Sequence, residues 1–241
     1  MSLWVIVPAY NEAARITATL DALAAQTDRD FTLLVVDNNS LDRTTDVVRA
    51  HAAIKAQLIV EPHKGVGCAV DTGFRHAIAH GATLLARTDA DCLPCPGWIA
   101  AARAALLARP GFVAGRLTAR DDEHGPLGRA AFRFVVAVAS TFGRLRPANR
   151  GTEFLAPYRM HAGNNMAITA SLYEACGGMP RRPSPTDRTF LNRVRRTTAA
   201  ITRSRVMVVA NSTRRLRAYG LRRAARWYLD RGSGELTPDP R

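Results

Sequence analysis

The sequence predicts an α/β fold in which a mostly parallel central sheet is flanked by helices within a single domain. Short apolar runs that suit buried strands alternate with longer amphipathic segments that suit helices, and this order is typical of parallel strands joined by right-handed crossovers. The chain has 241 residues, of which 47% are hydrophobic, so one domain with a substantial core is expected. Polar residues follow three of the predicted strands, where an open α/β sheet forms its ligand crevice.

The first half of the chain is predicted to contain four strands and three helices. Each strand is a short apolar run, and apolar residues recur at helical spacing between the runs. Pro8 ends the first strand, and Gly81 ends the third helix because glycine adopts the left-handed conformation easily. The predicted strands cover residues 3–7, 31–36, 57–60 and 83–86, and the helices cover residues 12–25, 43–53 and the segment that ends at 80.

The second half of the chain has a less regular pattern. The predicted helices cover residues 98–107, 127–142, 171–176, 187–197 and 221–229, and the strands cover residues 112–117 and 206–210. Residues 143–160 are polar, basic and irregular, and a loop of this length in a compact domain is often functional. We expect one domain over residues 1–231, followed by a flexible tail at residues 232–241.

The formal net charge is +14, and the positive charge is concentrated near the C-terminus. Between Arg181 and Arg231 there are fifteen arginines, against only Asp187 and Asp230 as acids. A phosphorylated donor, an anionic membrane surface or nucleic acid would each suit this charge. Nucleic acid is not expected, because it would not explain acids at strand ends and no recognisable binding motif occurs.

Neither a signal-peptide pattern nor an apolar run of 18 residues occurs in the sequence. We therefore expect a cytoplasmic protein, with peripheral contact to the inner face of the membrane through the arginine-rich C-terminal region as an open alternative. Arginine and alanine are abundant and lysine is nearly absent, which indicates a GC-rich bacterial genome.

Four cysteines occur, and Cys92 and Cys95 form a CxxC pair. Two small residues in a proline-rich loop are the favoured interpretation, and a redox pair is the alternative. A zinc site would need two more ligands, and no second CxxC or close histidine pair supplies them.

Two aspartates one residue apart, Asp89 and Asp91, follow the fourth predicted strand. Carboxylate oxygens are the ligands that Mg²⁺ and Mn²⁺ prefer, and a cation held in this way can bind a diphosphate. The alternative is an acidic surface turn, which we disfavour because a buried strand directs these acids to the crevice. The sequence therefore predicts a divalent cation on Asp89 and Asp91.

Five short motifs occur in one order along the chain. They are PAYNE at residues 8–12, DNNS at 37–40, DAD at 89–91, AGNNMA at 162–167 and CGGMP at 176–180. This order resembles the family 2 glycosyltransferases of GT-A fold, over residues 3–229. The resemblance implies a Rossmann-like sandwich that binds a nucleoside-diphosphate sugar with residues 1–118 and an acceptor, lipid-linked or a small molecule, with residues 119–231.

The resemblance also implies which residues bind the donor. Asp37 would accept a hydrogen bond from the base, Tyr10 would stack on it, and Glu12 would contact the ribose. The alternatives are turn or helix-cap roles for these side chains. The complete expected set is Pro8, Ala9, Tyr10, Glu12, Asp37, Lys64, Gly65, Asp89, Ala90, Asp91, Gly163, Asn164 and Arg214.

Asp187 is the expected catalytic residue. In inverting members of the family an aspartate at this position takes the proton of the acceptor hydroxyl, and the alternative role for Asp187 is a helix cap. The sequence departs from the family pattern at two places, with Thr186 in place of a glutamate and with Val70 and Asp71 in place of an arginine–asparagine pair. We therefore expect an inverting, metal-dependent glycosyltransferase. A retaining transferase with the same donor site, or a basic nucleic-acid- or membrane-binding protein with a degenerate site, stays open.

Overall fold

Eight strands form one sheet in the part of the chain that the computed structural model describes, which is residues 1–123, 125–159, 161–181, 186–212 and 214. The strands, numbered β1 to β8 in chain order, are Leu3–Ala9, Thr32–Asp37, Ala56–Val60, Leu84–Thr88, Leu93–Pro94, Phe112–Ala119, Asn165–Thr169 and Ile201–Asn211. Their order across the sheet is β3-β2-β1-β4-β7-β6-β8-β5. One sheet therefore runs through both halves of the chain.

Seven α-helices pack on this sheet within the described residues. The helices, numbered α1 to α7, are Ile16–Ala24, Thr44–Ala50, Val66–Ala79, Trp98–Ala108, Pro126–Leu145, Ala170–Ala175 and Thr186–Thr197, and a short 3₁₀ turn covers Pro147–Asn149. None of these helices is long and apolar enough to cross a lipid bilayer. The predicted basic helix at residues 221–229 and the predicted tail at residues 232–241 lie outside the described residues.

Strands β1 to β4 run parallel to one another, as the alternating pattern predicts. Strand β7 runs antiparallel to both β4 and β6, and β8 runs parallel to β6 and antiparallel to β5. The predicted α/β fold with a mostly parallel sheet between helices is confirmed.

The core lies on both faces of the sheet, because successive residues of a strand point to opposite faces. In β1, Val5 and Val7 pack with α1 and α4 on one face, and Trp4 and Ile6 pack with α3, α6 and α7 on the other. A strand buried on both faces has no polar side, so it reads as a continuous apolar run. This burial holds the carboxyl ends of the central strands in fixed positions.

Two element boundaries differ from the prediction in ways that matter for the site. Helix α1 begins at Ile16, because the carbonyl of Glu12 accepts from the backbone N–H groups of Arg15 and Ile16 in a preceding turn. Glu12 therefore lies in the loop after β1. Strand β8 begins at Ile201, five residues before the predicted start, since arginines interrupt the apolar pattern there.

Candidate active site

The carboxyl ends of β2, β1 and β4 lie side by side at one edge of the sheet. Asp37 is the last residue of β2 and pairs with Ala9 at the end of β1. Asp89 follows β4, which pairs with the other side of β1. The predicted donor-binding motifs thus meet at one crevice, as expected for an open α/β sheet.

Asp37 has a buried oxygen that is free to accept a hydrogen bond. Its Oδ2 accepts from the backbone N–H of Ser40 at 3.1 Å, while its Oδ1 is buried without a partner in the described part of the chain. An unpaired buried acceptor costs folding free energy, so this oxygen can accept a hydrogen bond from a donor outside the protein.

The loop after β3 closes over the same end of the sheet. The Asn38 side chain donates to the carbonyls of Glu61 and His63 and accepts from the backbone N–H of Gly65 at 2.8 Å. Gly65 has φ +134°, a conformation that favours glycine, and it precedes α3. Asn38 thereby fixes the loop that carries Lys64 and Gly65, two residues of the expected donor-binding set.

Tyr10 and Lys64 form the outer wall of this pocket. The Lys64 ammonium donates to the Tyr10 hydroxyl at 2.9 Å and lies 4.9 Å from the centre of its ring. The tyrosine is therefore held between the first loop and the loop after β3, in a position where a planar base can stack.

Glu12, Arg214 and Asp91 form a second group. The Arg214 guanidinium donates to both carboxylate oxygens of Glu12, with Nη1 at 2.8 Å from Oε2, and its Nη2 lies 3.1 Å from Oδ2 of Asp91. Burial raises the pKa of Glu12, against the opposing effect of Arg214. Arg214 thus joins Glu12, in the loop after β1, to Asp91 of the aspartate pair, although Glu12 and Asp91 are far apart in sequence.

Arg87 joins the aspartate pair to the expected base. Its side chain is buried at the end of β4, with Nη2 3.0 Å from Oδ1 of Asp89 and Nη1 3.0 Å from Oδ1 of Asp187. A Cβ at Gly163 would lie 2.2 Å from Oδ1 of Asp187, so only glycine allows the carboxylate to approach this closely. Burial raises the pKa of Asp89, against the charge of Arg87.

Asp187 is not an N-cap residue, because α7 begins at Thr186 and Asp187 lies in its first turn. Its carboxylate points to Arg87 across the sheet edge instead. The catalytic role and the helix-terminus role of this residue both stay predictions.

Asn164 and Cys92 line the floor beside Asp91. The Cys92 thiol donates to Oδ1 of Asp91 at 3.3 Å, and the Asn164 amide donates to Cys92 and to Asn211. All four cysteines are free thiols, and the Cys95 thiol points away towards the carbonyl of Val206. No group of three or more metal-binding side chains occurs among residues the structure describes.

His161 is a polar residue of this region that the sequence analysis missed. Both ring nitrogens are buried without a hydrogen-bond partner in the described chain, and the ring packs edge-on against Phe112 at 5.1 Å. Burial lowers the pKa of His161 to about 4, with Asp187 acting in the opposite direction. His161 is therefore neutral at physiological pH and lies near the expected base.

The remaining predicted residues support the site through the backbone. Pro8 and Ala9 are buried in β1, and the carbonyl of Ala90 accepts from the Thr19 hydroxyl at 2.9 Å. The structure brings the whole predicted set to one edge of the sheet. Arg87, Asn38 and His161 are the additions. Asn38 belongs to the DNNS motif, and Arg87 is a charged residue in the apolar strand β4, whereas His161 carried no sequence signal.

The family model for glycosyl transferase family 2 matches residues 4–171, which is more than half of the chain. Glycosyltransferase AglE of Haloferax volcanii is 34% identical over 100 residues, covering 39% of this chain and 32% of that protein. The validoxylamine A glucosyltransferase of Streptomyces hygroscopicus subsp. jinggangensis is 36% identical over 108 residues, covering 43% of this chain and 25% of that protein. The matched segments thus span about a third or less of these relatives.

A solved structure shares most of the fold. The mannosyltransferase PcManGT from Pyrobaculum calidifontis, in complex with GDP-Man and Mn²⁺, matches with a TM-score of 0.63 and 25% identity. The match covers 87% of this chain and 56% of that protein, so the predicted GT-A fold is confirmed. Together with the family model, this shows that the chain belongs to glycosyl transferase family 2.

Proposed function

We propose that the protein transfers a sugar from a nucleoside-diphosphate donor to an acceptor hydroxyl, with inversion at the anomeric carbon and with help from a divalent cation. The observation that carries this proposal is the shared guanidinium of Arg87, which holds Asp89 and Asp187 on one crevice. A carboxylate for the donor side and a carboxylate for the acceptor side are what such a reaction requires.

The nucleotide is proposed to bind at the ends of β1 and β2. The free Oδ1 of Asp37 accepts a hydrogen bond from the base, and Tyr10 stacks on its ring. Arg214 lies beside Asp91, where its guanidinium is within reach of a diphosphate. The complex of PcManGT with GDP-Man supports a nucleotide sugar as donor.

The carboxylates of Asp89 and Asp91 suit a hard divalent cation. Oδ2 of Asp89 accepts no hydrogen bond from the described part of the chain, while Oδ2 of Asp91 faces Arg214. Two carboxylate ligands are enough for Mg²⁺ or Mn²⁺ when substrate phosphates and waters complete the shell. The cation would neutralise charge on the leaving diphosphate. The Mn²⁺ in the PcManGT complex supports this choice of ion.

Asp187 is proposed to take the proton from the acceptor hydroxyl. Arg87 holds one carboxylate oxygen, and the second oxygen accepts no hydrogen bond from the described residues. The fixed carboxylate can therefore receive a proton without reorienting. Determination of the anomeric configuration of one product would separate inversion from the retaining alternative.

Calorimetric titration with UDP-glucose and GDP-mannose tests the donor site, in Mn²⁺ and in EDTA. We expect one of these donors to bind in Mn²⁺, and binding should disappear in the Asp91→Ala variant. Asp46→Ala, an exposed acid on α2 in a weak surface ion pair, is the matched control and should bind normally. Equal donor affinity in Asp91→Ala and the control would refute the assignment of the cation site.

A further inference from the structure

A second cavity lies away from the strand ends, between the irregular segment after α5 and the C-terminal half of α7. Its volume is about 500 Å³, which is within the range of small-molecule sites. The residues that line it include Arg144, Arg150, Arg159 and Arg195 together with the aromatic rings of Phe154 and Tyr158. None of the described lining residues is acidic.

Three of these arginines form no ion pair with an acid among the described residues. Arg144, Arg150 and Arg159 are exposed, and no ion pair joins any of them to an acid among the described residues. Glu153 lies next to the cavity, but it pairs with Arg196 at 3.4 Å. Three guanidinium groups thus lie at one cavity without an ion-pair partner in the described part of the chain.

The fourth arginine builds the cavity wall. The Arg195 guanidinium donates to the carbonyls of Ala156 and Asn149, each at 2.9 Å. The backbone carbonyl of Arg195 accepts from the backbone N–H of Leu155. It also lies 4.0 Å from the centre of the Phe154 ring. Arg195 therefore fixes the loop. Nε of Arg150 donates to the carbonyl of Arg144 at 2.8 Å, which leaves the two Nη groups of Arg150 and the guanidinium groups of Arg144 and Arg159 for a ligand.

The concentration of charge around the cavity extends to β8. Burial lowers the pKa of Arg203, and the neighbouring charges of Arg159 and Arg144 lower it further. Like charges held close together repel each other, so an anion between them would relieve the repulsion. Planar guanidinium groups bind phosphate oxygens in pairs, and this favours phosphate over a diffuse negative charge.

We propose that this cavity binds the phosphate group of a ligand, with Arg144, Arg150 and Arg159 on the phosphate oxygens and Phe154 and Tyr158 against the adjoining apolar part. Asp187 and Arg195 are eight residues apart on α7, which corresponds to about 12 Å along the helix. On the proposed function, the ligand is the acceptor, with its phosphate in the cavity and its hydroxyl near Asp187. Both a soluble phosphomonoester and a lipid headgroup carry the required chemistry, and Leu155 at the cavity is an exposed apolar residue.

The test compares two triple variants of equal charge. Arg144→Gln with Arg150→Gln and Arg159→Gln removes the cavity charges, and Arg29→Gln with Arg43→Gln and Arg49→Gln removes three exposed charges elsewhere. Arg195 is left intact because it holds the loop. Glycerol 3-phosphate is titrated by calorimetry, and vesicles of phosphatidylcholine with and without phosphatidic acid are used in a sedimentation assay.

We expect at least one phosphate probe to bind the wild type and the control variant, and the cavity variant to bind it at least about tenfold more weakly. Binding of glycerol 3-phosphate indicates a soluble ligand, and binding of phosphatidic acid vesicles alone indicates a lipid-borne phosphate. Equal affinity in the two triple variants, or no binding of either probe to the wild type, would overturn the proposal. The Asp91→Ala variant, which should lose donor binding, should bind the phosphate probe with normal affinity. Failure of the proposed donor site can therefore be distinguished from failure of the proposed phosphate site.

Discussion

Two clusters in this molecule are built alike, with one arginine that contacts two carboxylates, but their burial is opposite. Arg87, with its side chain 2% exposed, lies between Asp89 at 31% and Asp187 at 38%. Arg181, 40% exposed, covers Glu61 at 4% and Asp71 at 2%. The first cluster buries its cation and exposes its acids, and the second does the reverse.

This difference separates acids that can react from acids that support the fold. Glu61 accepts from Thr72, from Arg181 at 2.8 Å and from the backbone of His63. Asp71 accepts from Arg75 and from the Tyr173 hydroxyl. Both oxygens of each of these carboxylates accept hydrogen bonds from within the protein. Asp89 and Asp187 each keep one oxygen towards the crevice, and the buried arginine holds them in place.

Asp187→Asn should give the largest effect on catalysis. The amide oxygen can still accept from Arg87, but the side chain cannot take a proton at neutral pH. Transfer to the acceptor should fall by at least ~10²-fold, as expected when a general base is lost. Rates of sugar transfer are measured with the donor that binds best, and donor affinity is the control. A rate near that of the wild type would mean that another group is the base.

Arg87→Met should lower the rate of transfer more than it lowers stability. Methionine fills much of the volume of the buried arginine side chain. Asp89 and Asp187, which lose their shared partner, can both reach water. The free energy of unfolding should therefore change by less than about 2 kcal/mol. Loss of the shared guanidinium lets Asp187 move, and misplacement of a reacting group by about 1 Å can cost up to ~10²-fold. Urea unfolding and transfer rates of the same preparation measure both quantities. A large loss of stability with normal catalysis would reverse the roles assigned to the two clusters.

The sequence predicted the half of the site that depends on strand ends, because a buried strand has a recognisable apolar pattern and a defined end. Asp37, Asp89 and Asp91 lie where that pattern placed them. The contacts of Arg87 with Asp187 and of Arg214 with Glu12 depend on tertiary packing between residues at least 100 positions apart. No local pattern encodes such a pairing.

The start of β8 and the role of Asp71 show two further limits. Arginines on β8 obscured the strand because edge-exposed positions tolerate charge, so its first five residues had no apolar signal. Asp71 stands where the family pattern has the asparagine of an arginine–asparagine pair. The sequence did not show that Tyr173 and Arg75 would donate hydrogen bonds to its carboxylate. Burial of an acid can be interpreted only when its partners are known.

Arg181→Met should lower stability without the loss of transfer that is expected of Arg87→Met. The substitution removes the hydrogen bonds that Arg181 donates to Glu61 and Thr72. The other partners of Glu61 and Asp71 stay in place. We expect the free energy of unfolding to fall by about 1–2 kcal/mol, since Arg181 is itself partly exposed to solvent. Transfer at low temperature should stay within about twofold of the wild type. A strong catalytic defect without loss of stability would show that this cluster belongs to the site.

The smallest effect is a dependence of stability on pH that comes from Glu61. Burial opposes ionisation, but hydrogen bonds from Thr72, Arg181 and His63 lower the pKa of Glu61 from 4.5 to about 2. A lowered pKa in the folded state stabilises the protein above pH 4.5, and this contribution is lost as the pH falls from about 4.5 towards 2. Between pH 5 and pH 4 the loss should be less than about 1 kcal/mol.

Thermal unfolding of the wild type and Glu61→Gln over this range isolates the effect, because all other acids titrate in both proteins. The wild type should lose stability more steeply than the variant as the pH falls. Parallel curves would show that Glu61 is not held ionised by the Arg181 cluster, and the contrast between the two clusters would then rest on burial alone.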